Sequence, residues 1–439
     1  NLRGTTLAIY NWMTGDDNIF RPIALEMTQK DKNLEIVSHS YTHPGKDQVD
    51  IMHANLEREI PGSQAALRKM FPGQDVLLYC PGDGLLTDKM LPYIYESYYG
   101  MRTGNRGLNN LEMTEEDFFD IKVQGVVGSV ENYQKIDRPY DGETVETMNA
   151  WLDEAVSENK WLVEMWHSVC WEGIGDDGNP AYLSDGGYRP IRANIGQAHM
   201  AYAGKLQEEG KIWVAPMGEA MKYIRERQSS TLIDTATRTS RVISLTHDLD
   251  KKYFSDPLTL KSEVPATWAY AKVVQNDSTQ SITVQEENGK YYIMYDAIPN
   301  YGDIVISQID TPLEDTSIKD LTINTPNNLN QVTGSLEPVN FSVAYTPTDT
   351  IDVSTIRWYL NGELQPVTGA SFTFTPNGVG SDYVYAQAGL VKSQYRDITV
   401  TEAPEYDEKD YLLYEDFSGG SIDLGKFDHA SNGGNYGYV

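Results

Sequence analysis

The chain has 439 residues, 40% hydrophobic and 23% charged, enough for two to four soluble domains with ordinary cores. Its 64 acidic residues against 35 basic ones give a formal net charge of −29, which argues against nucleic acid or an anionic membrane surface as partner. Neutral glycans or cationic ligands suit this charge better, no apolar run reaches the roughly 18–20 residues of a membrane span, and two cysteines cannot build a disulfide scaffold.

The chain opens on Asn-Leu-Arg-Gly, without a signal peptide, and runs directly into a strand-like stretch, so further chain is expected upstream. Residues 1–228 alternate short apolar runs with longer amphipathic ones. Strands are predicted at Thr6–Trp12, Glu35–Ser40, Val76–Cys80, Met101–Gly104, Val123–Val127, Trp161–His167 and Ile212–Ala215. Helix patterns lie at 20–30, 47–70, 87–97, 144–158, 192–209 and 217–227. Regular βα alternation predicts a parallel sheet with crossover helices, open or closed into a barrel, whose chemistry sits where strands end.

The stretch Glu35-Ile-Val-Ser-His-Ser-Tyr-Thr-His-Pro44 stands out. His39 and His43 follow a short buried strand, and a helical turn after His39 would face both imidazoles one way. Imidazole is the commonest side-chain ligand of zinc-like ions; the alternative is a pair of surface histidines. His167 also ends a predicted strand, either as a functional residue or as a core histidine bonded to backbone. His53, His199, His247 and His429 read as structural.

From 229 to 312 the period becomes two and prolines punctuate it, which predicts a small antiparallel β domain. Its strands are read at Val273–Val274, Ser281–Gln285, Tyr291–Tyr295 and Asp303–Ile309. Residues 318–402 predict an immunoglobulin-like sandwich, with Asn361-Gly362 as a hairpin turn and Trp358 as the core aromatic. That sandwich either binds glycan or spaces the barrel from a surface. Residues 403–439 read as a linker and the start of a truncated further module.

Four pieces carry a resemblance: the His39…His43 run, Tyr79-Cys80-Pro81-Gly82-Asp83-Gly84, Trp161-Leu-Val-Glu-Met-Trp-His167, and Ile212–Ala215 leading into Gly218-Glu-Ala-Met-Lys-Tyr-Ile-Arg-Glu-Arg227. Together they resemble bacterial polysaccharide deacetylases, carbohydrate esterases with a distorted (β/α) barrel. The likeness covers about residues 5–228. It implies a multidomain protein, an α/β distorted barrel followed by all-β modules, secreted or held at a bacterial cell surface or in the periplasm.

The resemblance further implies a divalent metal such as zinc, held by His39, His43 and an Asp, with a second Asp as base and His167 as general acid. The substrate would be an acetylated glycan. The Asp-Asp pair of that family is expected upstream of Thr5. Asp16-Asp17 imitates it but follows a strand that would be the second, so these two read as loop and cap residues. Tyr79 either lines the site or packs in the core, and the family's third-motif Arg has no counterpart there. Trp171, just before a long Gly- and Asp-rich loop at Glu172–Tyr188, or Tyr188 at its end could stack on sugar, while Trp166 packs inside. Gly175–Asn179 is a weak calcium candidate. Cys80 and Cys170 are read either as a disulfide or as two buried thiols. The competing function is a non-catalytic carbohydrate-binding or adhesion protein with a degenerate barrel. The sequence carries no signal for an oligomeric state.

Overall fold

The computed structural model describes residues 2–14, 20–29, 34–125, 142–175, 178–184, 190–236, 240–315, 317–324, 329–347 and 352–403. Its first half is a six-stranded parallel sheet in sequential order: β1 (Gly4–Ala8), β2 (Leu34–Ser38), β3 (Leu78–Tyr79), β4 (Gly100–Arg106), β5 (Ile121–Gly125) and β6 (Glu164–Met165). The helices are α1 (Phe20–Gln29), α2 (Val49–Ala54), α3 (Ser63–Met70), α4 (Leu91–Ser97), the short α5 (Glu115–Phe118), α6 (Val145–Glu158), α7 (Ala193–Glu208) and α8 (Met217–Ser229). Ile36 and Val37 point to opposite faces of β2 and are both fully buried, as a parallel strand covered on both sides requires. Leu7, Val37, Leu78, Ile121 and Val163 meet in one apolar cluster. The sheet is curled into a half-barrel with this cluster on its inner face.

Two sequence expectations change here. Ile212–Ala215 forms no ladder. It lies in the gap between the sheet edges, where Ile212 packs with Leu162 and Leu2, and the Val214 N–H donates to Gln207 Oε1 at 3.0 Å. β6 offers only two ladder residues, so little edge is open for pairing on that side. The 47–70 pattern is not one helix but α2, a π-helical turn at Arg58–Gly62, and α3. Pro61 sits inside that turn, where it removes a helical hydrogen bond and widens the coil.

A third expectation, the long structureless loop at Glu172–Tyr188, is also corrected. Val169–Ile174 (β7) pairs antiparallel with Pro180–Ser184 (β8), and Ile191–Arg192 (β9) joins β7 in parallel. The Gly175 N–H donates to the Asn179 carbonyl at 2.8 Å and Gly178 takes φ +76°, so the glycines make a reversal rather than a floppy loop. Asp176, Asp177 and Tyr188 lie outside the described residues.

Helix α8 is fastened to the start of the barrel. The Met217 N–H donates to Thr5 Oγ1 (2.7 Å), the Thr5 hydroxyl to Glu35 Oε2 (2.8 Å), and the Gly218 N–H to the same Glu35 oxygen (2.8 Å). A Cβ on Gly218 would lie 2.0 Å from Glu35 Oε1, so a larger residue there would displace the Glu35 carboxyl. Burial lifts the Glu35 carboxyl from 4.5 to about 7 against the pull of the Gly218 N–H, the Thr5 hydroxyl and Lys222. The folded state thus holds this proton more tightly than the unfolded chain. Its contribution is complete below pH 4.5 and is lost as pH rises through 7. The urea midpoint is expected to fall between pH 5 and pH 8, and Glu35→Gln, which keeps an acceptor for both donors, to remove most of that fall. An unchanged pH dependence in Glu35→Gln would count against this assignment.

Residues 231–309 form a five-stranded and a three-stranded antiparallel sheet around Ile243, Val273, Ile293, Tyr295, Ile304 and Ile306. All four strands read from sequence are present. The run Ser281–Gln285 is divided between two of them, Ser278–Thr283 and Gln285–Glu287, and three more, at Thr231–Ala236, Ser240–Thr246 and Leu258–Glu263, were not legible. The next unit packs two sheets over Trp358, which is fully buried, stacks on Phe372 at 5.6 Å and donates its Nε1–H to the Gly369 carbonyl at 2.8 Å. Asn361 (φ +52°) and Gly362 (φ +81°) make the expected hairpin turn.

Both β units are pressed against α8. Tyr253, Phe254 and Tyr395 share one cluster with Met217, Met221 and Ile224. Lys222 of α8 pairs with Asp256 at 2.6 Å, and Lys252 pairs with Asp397 at 2.8 Å. Among the described residues no helix is long and apolar enough to cross a membrane.

Candidate functional site

The exits of β1, β2, β3, β4 and β6 open into one cleft of about 2170 Å³ whose lining includes Trp12, His39, His43, Arg102, His167 and Trp213. β2 carries the central feature. The His39 N–H donates to the Ala8 carbonyl at 2.9 Å, which prolongs the β1–β2 ladder by one residue. The chain then turns, though not as a helix. Ser40 (φ +68°) and His43 (φ +63°) are both left-handed, and the Ser40 hydroxyl oxygen accepts the His43 N–H at 2.9 Å. This brings the two imidazoles edge to face, 4.7 Å between centres.

His39 Nδ1 lies 2.6 Å from the Cys80 carbonyl oxygen, an acceptor only. That contact places the proton on Nδ1 and leaves Nε2 as a lone-pair donor, the arrangement seen when a backbone carbonyl orients a ligating histidine. Burial lowers the His39 pKa from 6.5 to about 3. The Cys80 carbonyl opposes this, and positive charge on His43, Arg102 and His167 adds to it. His39 is therefore neutral across the physiological range.

His167 lines the same cleft as the pair. Alternation along β6 explains its direction: Trp161 and Val163 pack with the barrel interior, while Trp166 packs outward against Met148 and Ile191. His167 continues the inward set and stands exposed at the cleft. The three histidines singled out in the sequence thus line one cleft, with His39 and His43 side by side.

Tyr79 does not join them. It is fully buried between β3 and the helices, 5.4 Å from the Tyr98 ring, while Leu78 and Cys80 take the interior face. One step in strand parity decides this. Trp171 is half exposed on β7, away from the cleft lining. Cys80 and Cys170 are free, buried thiols and form no disulfide. Burial pushes both upward, Cys80 against the counter-pull of Arg102 and Cys170 against that of Arg192, so neither is an activated nucleophile. His199, read as structural, is buried with Nε2 2.9 Å from Glu164 Oε1 and Nδ1 2.9 Å from Asn149 Oδ1, and together with Glu164 it borders the cleft.

Sequence reasoning missed Arg102. It is buried at the cleft on β4, beside Cys80 and His39. An arginine is thus present at the site, delivered by β4 rather than by the Tyr79–Cys80–Pro81 stretch. Its signal was a lone cation inside a short predicted strand.

The exit of β1 also differs from expectation. β1 is the direct neighbour of the His-bearing strand, and it runs on into Ile9 and a 3₁₀ turn that holds Tyr10, Asn11 and Trp12. The Asn11 N–H donates to the Tyr41 carbonyl at 2.9 Å, Tyr10 stacks 4.6 Å from Tyr41, and Trp12 leans on His43 at 5.4 Å. Among the described residues, the side chains that the β1 exit sets beside the pair are neutral. Asp16 and Asp17 lie outside the described residues. The pair fits two nitrogen ligands of a zinc-like centre, but no set of three His, Cys, Asp or Glu ligands is complete among the described residues.

Two exposed indoles flank the cleft, Trp12 at 63% and Trp213 at 52%, the latter braced edge-on by Tyr223 at 5.3 Å. No protein-family model matches the chain. A gellan lyase from a Bacillus species is 23% identical over 295 residues, which are 66% of this chain and 11% of that protein's length. A polysaccharide deacetylase structure from Bacillus cereus is 23% identical over 24% of this chain and 32% of its own, with a TM-score of 0.22. The adhesin InvE of Yersinia pseudotuberculosis is 14% identical over 40% of this chain and 59% of its own, with a TM-score of 0.15.

Proposed function

We propose that this chain acts on glycans as a hydrolase that removes acetyl groups from a polysaccharide or oligosaccharide. The observation that supports the reading is that His39 and His43 stand side by side in a cleft that His167 also lines. His39 and His43 would hold a divalent ion, zinc in the first instance. Such an ion would supply Lewis acidity toward the acetyl carbonyl and a lowered pKa for bound water. The chain's own groups do the rest. Cys80 fixes the His39 tautomer through its carbonyl, and Arg102 contributes a fixed positive charge beside the pair. His167, standing at the open side, gives the departing sugar nitrogen or oxygen its proton. The name of the Bacillus lyase, an enzyme of polysaccharides, supports a glycan as substrate class.

A second reading is favoured by one observation, the neutral Tyr10-Asn11-Trp12 at the β1 exit. Without a carboxylate there, the cleft would bind sugar as an adhesion or carrier surface. Metal analysis of the purified chain together with acetate release from N-acetylglucosamine oligomers and acetylated xylan separates the two. About one zinc per chain with acetate release supports the hydrolase. Sugar retention with neither metal nor acetate release supports the binding protein.

Both readings use the exposed indoles. Trp12→Ala is expected to weaken binding of a neutral tetrasaccharide about 5- to 10-fold, the scale of one lost aromatic stacking contact, with the fold unchanged. Calorimetric titration checks it, and equal affinities would remove Trp12 from the sugar-binding surface.

A further inference from the structure

The buried carboxylate of Glu59 has no place in the chemistry just described, and its surroundings are informative. It is fully buried and accepts five hydrogen bonds. Oε2 takes the N–H groups of Tyr41 (3.1 Å) and Thr42 (2.8 Å). Oε1 takes the Thr42 hydroxyl (2.8 Å) and the Arg58 Nη2 (2.7 Å) and Nε (3.2 Å). Three of the five donors belong to the two residues between Ser40 and His43, some seventeen positions earlier in the chain. We infer that Glu59 is a positioning residue, a carboxylate anchor that sets the spacing of the His39 and His43 imidazoles; this rests on the reading of that pair as a ligand pair.

Three facts carry it. First, the turn it holds contains two non-glycine left-handed residues, Ser40 and His43. Such backbone persists only where neighbouring groups over-determine it. Second, burying a carboxylate is costly, and an apolar residue would serve helix packing alone at least as well. Third, Glu59 sits in the π-helical turn Arg58–Gly62. π-turns insert a residue and re-aim a side chain, and they gather at functional sites. The ring of His43 is in turn confined by Gly82, whose added Cβ would lie 3.0 Å from its Cδ2, so a small shift of the turn moves the ring.

The test uses the full chain with Glu59→Gln, which is nearly isosteric but turns an NH₂ toward N–H donors. Zinc affinity by competition titration is expected to weaken about 10- to 100-fold, the usual cost of losing an outer-shell partner. In metal-free protein, the ring signals of His39 and His43 in imidazole ¹⁵N NMR are expected to move, while those of His199 and His247 stay. Unchanged zinc affinity and unchanged ring signals overturn the inference, even if the variant melts lower. Should Glu59→Gln not fold, Thr42→Val removes a single donor and is expected to move the same signals less. If the wild-type chain binds no zinc, the ligand-pair reading fails by itself, and the ring signals alone decide whether Glu59 sets the histidines.

Discussion

Replacing His39 with alanine is expected to lower zinc occupancy below about a tenth and to reduce acetate release to background, a loss of at least about 100-fold. Two imidazoles are the whole of the ligand set on β2, so one alone retains little hold on an ion. The same change orphans the Cys80 carbonyl and opens space in the barrel, at a cost of about 1–3 kcal/mol. A loss of activity could therefore come from unfolding. His39→Gln separates the causes, since its amide can still donate to the Cys80 oxygen without presenting an imidazole nitrogen. We expect it to keep the melting temperature within a few degrees and still lose the metal. Zinc and acetate release persisting in both variants would remove His39 from the site.

The second large effect is expected at His167. It stands exposed at the cleft, so His167→Asn should leave the fold and zinc content unchanged. Deleting a general acid typically costs about 10²–10⁴ in rate. The loss should fall on kcat rather than KM, because the proton is needed as the sugar leaves and not as it binds. The alkaline limb of the rate profile, where a general acid has already lost its proton, should flatten in the variant. A kcat within about threefold of wild type would assign His167 to structure instead.

Much of the barrel was readable because parallel strands covered on both faces are short apolar runs, and Ile36-Val37 before His39 is such a run. The nearness of His39 and His43 was readable for a related reason: packing alone gives a buried strand no cause to end on two imidazoles, and the rings do stand 4.7 Å apart. What escaped depends on side-chain direction or on a neighbour distant in sequence. Tyr79 and Cys80 differ by one residue and face opposite ways, which composition does not reveal. Trp171 falls on a hairpin whose glycines disguised its alternation as a loop. Arg102 matters only because β4 lies beside β3. The neutral β1 exit became visible only once β1 was seen to pair with β2 directly. Pro61 was in plain view, yet its consequence, a π-turn aiming Glu59 at Tyr41 and Thr42, depends on where that turn lies in space.

The fastening of α8 has a mechanical consequence. Its N-terminus grips Thr5 and Glu35, at the ends of β1 and β2 opposite to Trp12 and His39, while its flank meets Asp256, Phe254 and Tyr395 of the β units. Tyr99 of the barrel also meets Asp250 at 3.2 Å and Phe254 at 5.1 Å, so a pull on the outer modules is shared between α8 and the barrel wall. The modules are a handle on the barrel, not a leash.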